Sequence, residues 1–297
     1  MTLDMARVYA ATPAFFDQDL KFDRGRLADH YRWLEDCGVG GLSPNGSLGE
    51  YQALDDEERA EAVRVAVEVA SPDMLVVPGV ASLTTDGSVR WAEQARDAGA
   101  HGLMALPPTG YRASQTEVLA HYEALSRVGL PIIVYNNPFD TRVDLVPELI
   151  ARLAQFDNVV GVKEFSCDVR RVPEILDVSP GTTVMCGADD VVLESLLVGA
   201  AGWISGFVNS YPRTAVHLLN EARDGRIADV VDRYRTVLPA FRWDSRPKFV
   251  QVIKFAMDLA GRYGGPTRSP RGPLEADEIE VIEPQLRAAE EVERSLA

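Results

Sequence analysis

Cysteine, histidine and basic residues are all scarce in this 297-residue chain, and each shortage closes off a class of chemistry. Cys37, Cys167 and Cys186 are odd in number, widely spaced and free of any CxxC pair. That pattern excludes a disulfide framework and a zinc ribbon, and reads as reduced thiols of a cytoplasmic protein. His30, His101, His121 and His217 form neither HExxH nor HxxxH, so no metal site is expected. Lys and Arg total 30 against 45 Asp and Glu, a formal net charge of -15. Nucleic acid and anionic membrane surfaces need clustered cations and are excluded as partners. No apolar run approaches the roughly 18 residues of a membrane span, and Met1 to Ala11 lacks the apolar stretch of a signal peptide. The expectation is a soluble cytoplasmic protein whose small anionic ligands are held by a few local donors.

What is present is alternation. Eight short, β-prone apolar runs recur: Arg7 to Thr12, Gly40 to Ser43, Leu75 to Val80, His101 to Leu106, Pro131 to Asn136, Val159 to Phe165, Thr182 to Cys186 and Gly202 to Gly206. Between them lie runs of helical period, such as residues 55 to 63, with acids in the first turn and apolar residues three or four apart. Ser114 with Glu117 predicts a capping box, and Gly38, Gly99 and Gly129 predict left-handed C-caps. Eight β/α units in about 200 residues predict a closed (β/α)8 barrel; an open doubly wound sheet is the alternative. The barrel core is expected over residues 1–210, with the last barrel helix and a C-terminal helical extension over 211–297. Helices are expected near 226–241, 247–261 and 275–296, the last restarted at Pro284. The Gly- and Pro-rich stretch 264–273 reads as a stiff structural loop.

Three segments carry candidate chemistry. Lys163 ends the β-prone run Val159-Val160-Gly161-Val162-Lys163-Glu164-Phe165. A lysine desolvated at a strand end loses pKa and becomes a nucleophile able to form a Schiff base; the plainer alternative is a lysine paired with a carboxylate. In Asn45-Gly46-Ser47-Leu48-Gly49-Glu50, glycines flanking a hydroxyl let backbone N–H groups converge on a carboxylate, with Ser47 adding a donor. The same segment misses the hydrolase elbow G-x-S-x-G because Asn45 stands where the first glycine belongs. Tyr135, closing the fifth run before Asn136-Asn137-Pro138, offers a phenol for proton transfer or simply a core aromatic. A serine hydrolase built on Ser47 and a noncatalytic 2-oxo acid sensor are the alternatives from other classes.

Taken together, these segments resemble the dihydrodipicolinate synthase / N-acetylneuraminate lyase family of class I aldolases. Gly46-Ser47-Leu48-Gly49-Glu50 resembles its G-[ST]-T-G-E loop, Tyr135-Asn136-Asn137-Pro138 its Y-N-x-P strand end, and Gly161-Val162-Lys163-Glu164 its G-[IV]-K-[ED] strand. Cys186-Gly187-Ala188-Asp189-Asp190 and Gly202-Trp203-Ile204-Ser205-Gly206 resemble its G-x-D and G-x-I-S segments, in the right order. The resemblance implies a barrel, a homotetramer, no cofactor, and a Lys163 Schiff base with a 2-oxo acid. By the same resemblance Tyr135 is the acid/base phenol, Ser47 binds carboxylate and relays protons to Tyr135, and the backbone at Gly46, Leu48 and Ile204 lines the pocket.

Three departures bear on specificity. Leu48 replaces a second hydroxyl. Asp140 stands two residues after Pro138, where dihydrodipicolinate synthases place the arginine that holds the aldehyde's distal carboxylate, and Arg142 follows two residues later. The family's paired tyrosines reduce to Thr109-Gly110-Tyr111, leaving Tyr111 as the one stand-in. The expected function is a class I lyase acting on pyruvate or a longer 2-oxo acid, with a 2-keto-3-deoxy acid aldolase preferred. A sugar-acid dehydratase, a hydroxypyrroline-carboxylate-type deaminase and dihydrodipicolinate synthase itself are the alternatives within the family.

Overall fold

The computed structural model describes residues 3–297, and its strands fall inside the eight apolar runs of the sequence. They are β1 (Val8–Ala11), β2 (Gly41–Ser43), β3 (Leu75–Val76), β4 (Leu103–Ala105), β5 (Ile132–Asn136), β6 (Val159–Glu164), β7 (Thr183–Cys186) and β8 (Gly202–Ser205). All neighbours pair in parallel, in the order β3-β2-β1-β8-β7-β6-β5-β4. The two ends of that order meet. Gly79 bridges Met104 in the parallel sense, and the His101 and Met104 N–H groups donate to the Val76 and Pro78 carbonyls, each at 2.9 Å. Closure makes the sheet a (β/α)8 barrel and sets aside the open doubly wound sheet. Because both faces of each strand are covered, the strands read as continuous apolar runs rather than as alternating ones.

Each strand is followed by a helix that returns the chain to the opposite end, from Arg24–Asp36 after β1 to Pro212–Arg223 after β8. Their termini follow from local chemistry. Ser114 and Glu117 form the capping box, and Gly38, Gly99 and Gly129 take φ of +87°, +94° and +87°, conformations open to glycine without a Cβ penalty. Beyond the barrel come helices Ile227–Phe241, Phe249–Leu259 and Ala276–Arg294. The last corrects the sequence reading: Pro284 lies inside one continuous helix and does not restart it. Proline removes one helical hydrogen bond. Burial of Ile282, Leu286 and Ala289, all with no exposed surface, offsets that loss, since a buried Ile or Leu contributes about 1.5–3 kcal/mol. Glu293 then accepts from the Thr214 N–H at 2.8 Å and its hydroxyl at 2.7 Å, fixing this helix to the final barrel helix.

The 264–273 loop is anchored as a structural loop should be. The Arg268 guanidinium bonds Glu58 and the Leu20 and Ala53 carbonyls, and the Arg268 N–H donates to Glu50. Among the described residues, no helix is long and apolar enough to cross a membrane.

Candidate active site

Parallel register is what brings the candidate residues together. In the β5–β6 pairing Tyr135 is the direct partner of Lys163, and partners in neighbouring parallel strands point to the same face. Both therefore project into the barrel mouth, where each is only 5% exposed. The Lys163 amine lies 4.3 Å from the centre of the Tyr135 ring and 5.8 Å from that of Phe165. Gly187, at the end of β7, makes room for the lysine: a Cβ there would come within 3.0 Å of Lys163 Cε and Cγ. The amine opens into a cavity of about 700 Å³ at the C-terminal end of the barrel.

The loops around this mouth hold strained backbone. Asn45, Glu50, Arg142 and Cys167 have φ between +50° and +61°, and all four follow β2, β5 or β6. Non-glycine residues occupy that region only where surrounding contacts enforce it. After β5 those contacts come from two asparagines. Asn136 donates to Glu164 Oε2 at 3.0 Å and accepts from the Leu145 N–H at 2.9 Å. Asn137 caps the Pro138–Thr141 turn by accepting from the Asp140 N–H at 3.1 Å. Its amide donates to the Tyr135 hydroxyl at 3.2 Å and to Asp140 Oδ2 at 2.9 Å.

Ser47 donates to that same Asp140 oxygen at 3.1 Å. Ser47 and Tyr135 are thus linked through Asp140 and Asn137 and not directly, contrary to the expected relay. An amide N–H donates a hydrogen bond without passing its proton on, so this arrangement orients the phenol instead.

Burial dominates the electrostatics. It holds the Lys163 ammonium below its ordinary pKa, while the charges of Asp244 and Asp189 oppose the shift. Asp189 is fully buried and accepts from Trp203 Nε1 at 2.8 Å and the Phe207 N–H at 2.7 Å. Its carboxyl is pushed up to about 7 by burial, against those hydrogen bonds. Asp244 lies across Gly206, where a Cβ would meet its carboxylate at 2.3 Å. Burial, then the charge of Asp189, holds the Asp244 carboxyl well above the usual range. The two carboxyls and the amine therefore titrate as one coupled group, with burial raising both acids and the Lys163 charge opposing that rise. The Tyr135 phenol is likewise pushed up by burial and by the Asp140 charge, so it stays neutral. The site therefore presents a desolvated amine beside a neutral phenol, an arrangement suited to imine chemistry.

The model of the dihydrodipicolinate synthetase family matches residues 4–289. The chain belongs to this family. A DapA-like lyase from Halobacterium salinarum is 32% identical over 272 residues, covering 91% of this chain and 90% of the relative. A 4-hydroxy-tetrahydrodipicolinate synthase from Methanoculleus marisnigri is 32% identical over 276 residues, covering 91% and 94%. Among solved structures, YagE of E. coli K12 in complex with pyruvate superposes with a TM-score of 0.88 at 27% identity, over 97% of this chain and 100% of YagE. Members of this family are Schiff-base-forming lyases, and this chain is one of them.

Within that family member, the remaining candidates divide. Gly46, Ser47, Leu48 and Asp140 line the cavity with Lys163 and Tyr135. Arg142 is exposed and caps the Pro138–Thr141 turn from outside the lining. Tyr111 is 57% exposed and donates to Glu117 at 2.7 Å. Ile204 is fully buried in β8, and the lining residue at that strand end is Gly206. Asn137, Asp244, Arg246 and Arg271 also line the cavity without having been singled out from the sequence. Asn137 had a signal, its place in the Y-N-x-P segment. The other three lie beyond the last strand, where no motif marks them.

Proposed function

We propose that this enzyme acts on a 2-oxo acid by forming an imine at Lys163, with Tyr135 moving the proton and the Gly46-Ser47-Leu48 loop receiving the carboxylate. The carrying observation is the Lys163 amine itself: it is buried, without an ion pair among the described residues, opens into the cavity and lies 4.3 Å from the phenol ring. Attack on the carbonyl carbon expels water and leaves a protonated imine, which draws the electron pair of an adjacent C–C or C–H bond. Tyr135 returns or removes the proton when that bond is made or broken.

Within this class we prefer a 2-keto-3-deoxy acid aldolase to a dehydratase or deaminase. Asp140 favours this over dihydrodipicolinate synthase, because it puts a carboxylate into the cavity wall where an aldehyde's own carboxylate would be repelled. A homotetramer is part of the proposal. Leu83 and Tyr111, 72% and 57% exposed near the cavity mouth, support a partner covering that face.

Borohydride reduction in the presence of pyruvate tests the reading. The chain has four lysines, Lys21, Lys163, Lys248 and Lys254, so peptide mapping is unambiguous. The adduct is expected on Lys163 and is abolished in Lys163→Arg, whose guanidinium keeps charge but does not form the imine. An adduct confined to another lysine, or none at saturating pyruvate, overturns the proposal.

A further inference from the structure

Two arginines line the cavity, and both come from beyond the barrel strands. Arg246 lies between helices Ile227–Phe241 and Phe249–Leu259, with its guanidinium 4.2 Å from the centre of the Trp243 ring. Trp243 is itself held by its indole N–H, which donates to Gln285 at 2.9 Å. Arg271 lies in the anchored 264–273 loop: its N–H donates to the Arg268 carbonyl at 3.1 Å and its carbonyl accepts from the Thr267 hydroxyl at 3.2 Å. The Arg246 N–H donates to the Trp243 carbonyl at 3.2 Å and the Arg246 carbonyl accepts from the Phe249 N–H at 3.0 Å, so both backbones are held, while neither guanidinium has an ion pair or a hydrogen bond among the described residues. In a chain this acidic, with 45 carboxylates to 30 Lys and Arg, two unpartnered guanidinium groups facing one cavity stand out from the surface pairs.

The rest of the lining sharpens the contrast. Near the amine the lining carries the Asp140 carboxylate, which disfavours a second anion on that side. The cavity volume of about 700 Å³ falls in the range of roughly 300–1,000 Å³ that buries ligands far larger than a three-carbon acid. A longer substrate bound at Lys163 has its tail to place, and the arginine wall is where a charged tail is favoured.

We infer that Arg246 and Arg271 form a distal oxyanion subsite, so that the preferred substrate is a 2-oxo acid whose far end carries a carboxylate or phosphate. This rests on the Lys163 imine reading. Planar guanidinium forks pair with either oxyanion in two-point fashion.

The test compares chain-matched 2-oxo acids by the concentration that half-saturates borohydride trapping. 2-Oxoadipate should half-saturate at least about 10-fold lower than 2-oxohexanoate, which lacks the distal charge. A 5-phosphono-2-oxopentanoate arm distinguishes the two oxyanions, the tighter probe naming the natural tail. The preference should collapse in Arg246→Gln and in the Arg246→Gln/Arg271→Gln double variant. It should persist in Arg142→Gln, whose guanidinium lies outside the lining. Because the readout is a ratio within each variant, a partly unfolded population does not imitate the result. Equal trapping of the two acids by the wild-type enzyme, or a preference that survives in the double variant, overturns the subsite and leaves the imine intact. Trapping of none of these acids, pyruvate included, overturns the imine reading and the subsite with it.

Discussion

Two lysines are buried in this protein, Lys163 at 5% exposure and Lys254 at 2%, and they are wired in opposite ways. Lys254 donates to Glu50 at 2.8 Å and to the Pro266 carbonyl at 2.7 Å, with the Phe16 ring 4.9 Å away. Its amine is enclosed and satisfied. Lys163 has aromatic rings and the fields of Asp189 and Asp244 around it, and its amine opens to the cavity without an ion pair. Burial lowers the pKa of both, so burial alone does not single out a nucleophile. What separates them is that the Lys163 amine has no ion pair and has a path to substrate. Lys254 ties helix Phe249–Leu259 to the residue that ends the Gly46–Glu50 loop, and so supports the site without entering it.

Methionine substitutions at these two positions break the comparison most sharply, and this is the largest stability effect expected. Lys254→Met leaves the Glu50 carboxylate buried without its cation, and breaking a buried pair from one side costs about 3–5 kcal/mol. Thermal unfolding should show a large fall in Tm. Lys163→Met removes an amine that has no ion pair to lose, so its Tm should move far less even though trapping disappears. Equal losses of Tm in the two variants would show that Lys163 is held as Lys254 is, and that the contrast is mistaken.

A second measurement sharpens the comparison on the side of chemistry. Tyr135→Phe removes the hydroxyl that receives the Asn137 amide at 3.2 Å and should lower kcat by roughly 10²-fold, with a smaller effect on half-saturation by pyruvate. A substituted phenol ring still leaves an aromatic face for Lys163, so trapping should remain measurable. Near-normal turnover would assign the proton transfer elsewhere.

The difference between the two lysines also marks how far the sequence was legible. Lys163 was readable because a cation ending a β-prone run conflicts with strand propensity, and because register then forces it to share a face with Tyr135. The eight strands were readable for a related reason, since a strand covered on both faces is apolar throughout. Lys254 was not. It falls in a stretch whose period says only helix, and its partner Glu50 is 204 residues away, a pairing that local pattern does not encode. Arg246 and Arg271 were invisible in the same way, because their place in the cavity depends on how the extension packs against the barrel. Pro284 failed for the converse reason: its local preference for a helix start yielded to the burial of Ile282 and Leu286 on the same helix.

The smallest effect concerns Asp140, where sequence and structure meet. An acid at this position predicts poor use of aspartate semialdehyde, and in the structure its Oδ2 accepts from both Ser47 and Asn137. Those two donors hold the carboxylate in the cavity wall, so a substrate carboxylate placed there meets like charge. Asp140→Asn keeps the shape and removes the charge. It also replaces one acceptor oxygen by an amide, so part of the gain is offset by a weaker hold on Ser47 and Asn137. Relief of one partly screened repulsion is on the order of 1 kcal/mol, so kcat/KM for condensation of pyruvate with aspartate semialdehyde should rise by roughly 10-fold or less. Neutral hydroxyaldehydes should show no such rise, because they carry no charge for Asp140 to repel. Efficient condensation with aspartate semialdehyde in the wild-type enzyme, abolished by Arg142→Ala and indifferent to Asp140→Asn, would mean that the loop after β5 turns Arg142 inward when substrate binds, and that this lyase makes the dihydrodipicolinate precursor after all.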